Sequence, residues 1–139
     1  MSRDAHNKSF ETTVASALAG TYPNVLIQYD NVPLEQPDGP WVATCLMDGR
    51  GRQMELGPVT TDRHVGFIQI DVLVPQLTGT AVCSQIAEFL GNAFRRQTVF
   101  GSDGCRIIYQ VPQYITRGNN KGFYCICVRV PYWRDEPRA

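Results

Sequence analysis

The sequence lacks an excess of either charge, because 13 Lys and Arg residues balance 13 Asp and Glu residues. A dedicated DNA- or RNA-binding domain usually carries a clear basic excess, so this balance argues against that class. It also argues against a protein held on a membrane surface by a polybasic face. No apolar run approaches the length that spans a bilayer, and the first residues contain no apolar segment typical of a signal peptide. We therefore expect a cytosolic folding environment and no membrane partner.

Motifs that mark common enzyme classes are also missing. The sequence contains no GxxxxGK[ST] phosphate loop, no GxGxxG and no HExxH. Its only histidines are His6, in a polar terminal segment, and His64, at the expected start of a strand. We interpret both as surface or strand-end residues, and we predict no catalytic residues, no enzymatic activity and no cofactor. A small cytosolic hydrolase that uses His64 with a cysteine brought close by the fold is the enzymatic alternative.

Cysteine pairing is not indicated either. The five cysteines are odd in number and contain no CxxC pair, and a reducing compartment keeps thiols free. Cys125 and Cys127 would share one face of a strand, where two soft ligands could join a zinc site. A closed zinc site needs four ligands, and the sequence offers no patterned partners for these two. We therefore predict packing cysteines and no metal.

The composition is that of an ordinary globular protein, with 139 residues of which 43% are hydrophobic. We predict one domain over residues 1–139 with short flexible tails at both ends. Apolar residues at helical spacing predict helices over about 4–18 and 80–96. Strands are expected over 25–29, 41–47, 64–74, 105–111 and 123–132, with a turn or hairpin tip at 48–52 and polar connections at 102–104 and 117–122.

Alternation along two of these strands predicts which side of each is buried. Ile68, Ile70, Val72 and Val74 would point one way, while Gln69 and Asp71 point the other. In the last strand, one face would carry Tyr124, Ile126, Val128, Val130 and Tyr132, and the other Phe123, Cys125, Cys127 and Arg129. The element order predicts an α+β domain in which two α-helices pack on one face of a mainly antiparallel sheet.

Loops that combine aromatic residues, prolines and charges stand out, and such loops are typical of contact surfaces. They lie at 29–41 and 130–136, and a glycine-flanked segment at 48–58 is a third candidate. The structural alternative is that Trp41 and Trp133 plug the ends of the sheet, and that 48–58 is a solvated hairpin tip. The candidate interface residues are Asp30, Asn31, Pro33, Asp38, Trp41, Arg50, Arg52, Met54, Glu55, Tyr132, Trp133 and Arg134.

Three sequence blocks, in order, resemble a family of small tailed-phage proteins, the phage tail terminator-like proteins related in fold to the lambda-type terminator. The first block comprises 29–33 and 37–42. The second runs over 66–75 and continues through Thr78-Gly-Thr80 into a helix, and the third is the ending 128–136. The resemblance extends from about Tyr29 to Glu136 and implies a tail-terminator-like α+β fold without catalytic residues, metal or cofactor.

The resemblance also implies a structural role in a virion. Such proteins assemble as a homohexameric ring on the finished tail tube, stop further addition of tube subunits and present a surface to head-completion or neck proteins. Phage DNA would then pass through the lumen without sequence-specific binding. The implied location is the tail and neck region of a virion assembled in the bacterial host cytoplasm. The alternatives are a head–tail connector or a tail tube protein of the same virion.

Overall fold

The chain is described here from a computed structural model, which describes residues 3–32, 39–53, 60–76, 79–101, 105–120 and 122–138. The elements are helix α1 (Arg3–Thr21), strands β1 (Leu26–Gln28), β2 (Trp41–Gln53) and β3 (Thr60–Pro75), helix α2 (Ala81–Phe94), and strands β4 (Thr98–Phe100), β5 (Arg106–Tyr109), β6 (Gln113–Asn120) and β7 (Phe123–Arg138). Of the helices in these ranges, none combines the length and apolar character needed to cross a bilayer.

The seven strands form one sheet in the order β1-β2-β3-β7-β5-β4, with β6 also paired to β7. All pairs are antiparallel except β1 with β2. Strand β7 pairs with β3 along its whole length, so its other side is shared by β5 and β6. One side of the sheet therefore ends in β1 and the part of β2 that β1 does not cover, and the other side ends in β4, which covers β5, and in β6.

Both helices pack on the same side of the sheet, which we call the inner face. Alternate residues of β3 and β7 point to it. Fully burying one Val, Leu, Ile or Phe side chain stabilises the folded state by roughly 1.5–3 kcal/mol relative to leaving it exposed. Phe94 of α2 makes edge-to-face contacts with Phe10 of α1 and with Tyr109 of β5. The buried core comprises Phe10, Val14, Leu18, Val42, Leu46, Ile68, Ile70, Val72, Val74, Cys83, Ile86, Ala87, Leu90, Phe94, Ile107, Tyr109, Ile126, Val128, Val130 and Tyr132.

The predicted α+β domain is confirmed, with two helices on one face of a mostly antiparallel sheet. The alternation along β3 is also confirmed, because its four predicted core residues are all buried. Within the described residues, α1 begins at Arg3 and β7 continues to Arg138, and the chain ends where short tails were expected lie outside those residues. β4 and β6 were not predicted, and most of the expected polar loop at 117–122 belongs to β6.

The turn predicted at 48–52 was wrong, because β2 continues through it to Gln53 with a bulge between Asp48 and Gly51. The glycines there permit close strand contact rather than a reversal of the chain. A Cβ atom on Gly49 would lie 2.7 Å from the carbonyl oxygen of Val65 on β3, which is too close for any real side chain. Strands β2 and β3 therefore form a long hairpin arm.

Candidate interaction surfaces

A buried polar cluster joins the start of α1 to the sheet. His6 is fully buried, contrary to the surface position expected from the sequence, because the polar residues around it form the exposed side of α1. Its Nε2 lies 2.9 Å from the hydroxyl of Tyr109, and its Nδ1 lies 3.0 Å from Nη1 of Arg134. Arg134 also binds Asp48 at 3.2 Å and Glu136 at 3.1 Å. These contacts hold α1 against β2, β5 and β7.

The electrostatics of this cluster favour a neutral imidazole. Burial, followed by the positive charge of Arg134, lowers the pKa of His6 to about 4. Burial opposes the charged form of Asp48, but hydrogen bonds from Tyr132 and Arg134 and the charge of Arg134 leave its pKa below the usual value. Arg3 closes the cluster from outside, with Nε 2.8 Å from Asp48. The cluster therefore has a structural role, because each charged group in it lies beside a group of opposite charge.

The enzymatic alternative required a pocket built around His64. This residue lies within β3, 3.7 Å from Glu136 and directly opposite Gly51 of β2. The cavities described below are lined by other residues.

The thiols of Cys125 and Cys127 are buried, and burial raises the pKa of Cys125 to about 12. Across the described parts of the chain, no three His, Cys, Asp or Glu side chains come together as a metal site.

The side of the sheet that carries no helix, which we call the outer face, is partly exposed and apolar. Met47 of β2, Val65 and Phe67 of β3 and Trp133 of β7 lie next to one another by strand register. Trp133 is 39% exposed, and Met47 and Val65 are similarly exposed. Arg129 stacks on Phe67 with its guanidinium carbon 4.5 Å from the ring centre. An apolar surface that is held in place by stacked arginines is typical of a contact site.

A rigid corner of this outer face surrounds Trp133. The guanidinium of Arg63 lies 4.6 Å above the indole ring, and it donates to both oxygens of Asp135 at 2.7 and 3.0 Å. Arg106 of β5 also reaches Asp135, at 3.5 Å. Two cations share this one carboxylate, and the hydrogen bonds from Arg63 lower its pKa. A shallow cavity of about 320 Å³ beside them is lined by Thr61, Phe100, Arg106, Asp135 and Pro137.

A second cavity, of about 510 Å³, opens on the other end of the outer face. Its polar walls are Asp71 of β3 and Arg117 of β6, and the charge of Asp71 raises the pKa of Arg117. Trp41 forms another wall and meets Phe123 edge-to-face at 5.9 Å between ring centres. The complete lining is Trp41, Ala43, Asp71, Leu73, Arg117, Asn119 and Cys125. The buried residue Cys125 therefore forms part of the floor of this cavity.

The predicted interface residues fall in five different places. Asp30 and Asn31 are exposed after β1, while Trp41 and Trp133 lie on the outer face. Tyr132 and Arg134 are buried on the inner face, because alternation along β7 turns them toward α1, so they offer no exposed surface in the monomer. Arg50 and Arg52 belong to β2, whereas Pro33, Asp38, Met54 and Glu55 lie outside the described residues.

Sequence reasoning missed the exposed apolar residues Met47, Val65 and Phe100. Two of them were visible in principle, because Val65 and Met47 fall on the outward positions of alternating strands. The exposure of Phe100, which reaches 74%, follows from the position of β4 at the edge of the sheet. That position depends on long-range strand pairing, which no local pattern in the sequence reveals.

The chain resembles known proteins in both sequence and fold. The sequence model of the family described as phage tail terminator protein matches residues 3–132. One solved protein has a TM-score of 0.76 at 16% identity, with 96% of each chain covered. A chain from the virion of a native gene transfer agent particle has a TM-score of 0.50 at 16% identity, with 88% of this chain and 84% of that chain covered. At this identity, both likenesses concern the fold.

A curated relative of a different kind is also detected. It is the UDP-N-acetylmuramoylalanine–D-glutamate ligase of Staphylococcus epidermidis, 20% identical over 101 residues. The match includes 73% of this chain but only 22% of the ligase, so the chain spans about a fifth of that relative's length. We attach no activity to this partial likeness.

Proposed function

This chain belongs to the phage tail terminator protein family, and we propose that it forms a ring that closes the end of a completed tail tube. Membership makes it a structural tail protein of a phage virion. In our proposal, the ring stops the addition of tube subunits and offers its free side to head-completion or neck proteins. The ring contains six copies, and the virion assembles in the host cytoplasm.

The observation that carries this proposal is the one-sided covering of the sheet. Both helices pack on the inner face, while the outer face keeps Met47, Val65 and Trp133 exposed beside stacked arginines. Monomeric proteins rarely leave such an apolar surface uncovered without a partner. In a virion the natural partners are the tail tube protein, the neck protein and further copies of the same chain. We propose Asp30, Asn31, Trp41 and Trp133 as contact residues.

The zero net charge is compatible with a conduit for DNA. A lumen with a strong basic excess would bind the phosphate backbone and slow the passage of DNA. We therefore propose that DNA passes through the ring without sequence-specific binding. The ring then needs no cofactor and performs no chemical step.

The test is the tail-length distribution in lysates of a phage that carries an interrupted copy of this gene, measured by negative-stain electron microscopy. A terminator predicts abnormally long and variable tails that are not joined to heads. Tails of normal length that fail to join heads would instead assign a connector role, and the absence of tails would assign the tube itself. Supplying the intact gene from a plasmid should restore the normal length.

A further inference from the structure

Charge is distributed unevenly along this neutral chain. Residues 21–47 contain three acidic side chains and no Lys or Arg, a net charge of −3. Residues 95–120 contain four arginines and one aspartate, a net charge of +3. The first segment contains β1, and the second contains β4, β5 and β6. Among the described residues, Asp30 follows β1 on one side of the sheet, and Arg95, Arg96, Arg106 and Arg117 lie on or beside β4, β5 and β6 on the other side, so opposite charges face opposite ways.

The β1 edge combines an exposed acid with exposed apolar side chains. Asp30 and Asn31 follow the strand in an exposed turn, and Asn31 adopts a left-handed conformation with φ of 60°. Leu26 and Val32 on either side are about half exposed. The thiol of Cys45 lies 4.0 Å from the Asp30 carboxylate. We call Leu26, Asp30 and Val32 the acidic edge.

The opposite edge combines arginines with exposed apolar side chains. Arg95 and Arg96 are exposed between α2 and β4, and half of the Arg106 side chain is exposed on β5. Asp135 is shared between Arg106 and Arg63, so one carboxylate faces two cations. We define the basic edge as Arg95, Arg96, Phe100, Arg106, Val111 and Tyr114, in which all three apolar residues are exposed.

We propose that the acidic edge of one copy docks on the basic edge of the next copy, in a head-to-tail contact. The inference rests on the proposed ring, and it identifies the surfaces that close it. A contact between two different patches of one chain generates rings when the rotation closes, whereas a contact of a patch with itself stops at a dimer. Opposite charges on opposite edges favour the first arrangement and disfavour the second.

The apolar residues support a second copy as the occupant. The described residues include nine large apolar side chains with high exposure, and five of them lie on these two edges: Leu26, Val32, Phe100, Val111 and Tyr114. Each edge thus offers apolar contact area next to its charge, which is the composition of a protein interface rather than of a solvated surface. A nucleic acid could neutralise only the basic edge and would leave the acidic edge unpaired.

Charge-reversal variants of the full chain test this contact by sedimentation velocity at increasing protein concentration. The wild type should associate beyond the monomer of 15.6 kDa, and more weakly at high salt. Asp30→Lys and Arg106→Glu should each remain monomeric, because each variant places like charges across the contact. An equimolar mixture of the two should associate again, since every contact in an alternating ring then joins opposite charges. The double variant should associate for the same reason.

Controls separate lost contact from lost folding. Circular dichroism should show all variants folded, and Arg95→Glu replaces Arg106→Glu if the new acid beside Asp135 unfolds the chain. Lys8→Glu, an exposed reversal on α1, should associate like the wild type. A wild type that stays monomeric, single variants that still associate, or a mixture that stays monomeric would each overturn the proposed contact. The tail-length distribution of the phage with the interrupted gene tests the terminator role independently, because its outcome does not depend on which edges form the contact.

Discussion

Nδ1 of His6 lies 3.0 Å from Nη1 of Arg134, and this contact fixes the tautomer of the imidazole. A guanidinium has only donors, so Nδ1 must accept and the ring proton must sit on Nε2. Nε2 can then donate to the hydroxyl of Tyr109, at 2.9 Å. Protonation of His6 would place a second donor against Arg134 inside the protein. The folded state therefore requires a neutral His6.

The free energy of unfolding should fall as the pH drops from about 6.5 to about 4. The unfolded chain binds a proton on His6 near the ordinary pKa of 6.5, while the folded chain resists it until about 4. The unfolded state thus binds more protons in this window, and stability rises with pH by up to about 3 kcal/mol. Urea unfolding at a series of pH values measures the effect.

The matched control for this titration is His6→Gln, which should show a flatter profile over the same window. Stability carried by Asp48 and Asp135 is lost at lower pH, because hydrogen bonds hold their pKa values below the ordinary range. The two effects are therefore separable. Equal slopes for the wild type and His6→Gln between about pH 6.5 and about pH 4.5 would show that His6 is not the group responsible.

Arg134→Met should destabilise the monomer by about 3–5 kcal/mol, the usual cost of removing one partner from a buried ion pair. The substitution removes the Arg134 guanidinium from Glu136 and from Asp48, which keeps its ion pair with Arg3, and it removes the donor to His6. Chemical denaturation measures the loss, and Lys8→Met on exposed α1 should change stability by less than about 0.5 kcal/mol. A loss of association without a loss of stability would restore Arg134 to the interface.

The fold was predictable where side-chain periodicity is strong. Helix α2 and strand β3 present an apolar stripe and a strict alternation, and both were placed within a few residues. Strand β6 is polar and contains Gly118, so its sequence indicates a loop. It is a strand because β7 supplies a pairing partner, and such tertiary context overrides local preference. The same argument explains the extension of β2 through its glycines.

Gly91→Ala should destabilise the protein by about 1–3 kcal/mol through overpacking. The new Cβ would collide with the hydroxyl of Tyr114, which lies over this point of α2. Tyr114→Phe removes that hydroxyl and should recover part of the loss in the double variant. Gly20→Ala in α1 is the control, because a Cβ there meets nothing within 4 Å. Thermal unfolding of the four proteins tests the contact, and additive effects would contradict it.

The candidate surfaces were only partly predictable. The aromatic and charged loops that the sequence singles out include Asp30 and Trp133, and both side chains are exposed. The alternation that assigns Tyr132 to the core face of β7 also applies to Arg134, two residues further on, so the sequence pattern itself argues against an exposed position for either. The opposition of acidic and basic edges depends on which strands end the sheet, and strand order is a long-range property.

Thiol reagents should modify Cys45 first in the native protein. It is half-buried, whereas the other four cysteines are buried. Burial, followed by the charge of Asp30, raises the pKa of Cys45, so even this thiol should react more slowly than an unfolded one. Labelling followed by mass spectrometry should find one modified site, and Cys45→Ser should remove it. Rapid labelling of Cys125 or Cys127 as well would show that the outer face opens in solution.

Trp133→Ala should weaken assembly more than it weakens folding. The side chain is 39% exposed, and its contacts within the monomer centre on the stacked guanidinium of Arg63. Loss of an exposed cation–π contact costs about 1 kcal/mol. A tryptophan at the centre of an interface commonly contributes about 2 kcal/mol or more to binding. Asp135 continues to hold Arg63 in the variant, so the charge pattern of the corner is preserved.

The comparison requires two measurements on the same variants. Urea unfolding gives the change in stability, and plasmid complementation of the interrupted phage gives the fraction of tails with normal length and attached heads. Val82→Ala, an equally exposed apolar truncation on α2, should leave both unchanged. If Trp133→Ala lowers stability enough to account for the assembly defect, the residue belongs to the fold alone. A defect in assembly with near-normal stability places Trp133 in a virion contact.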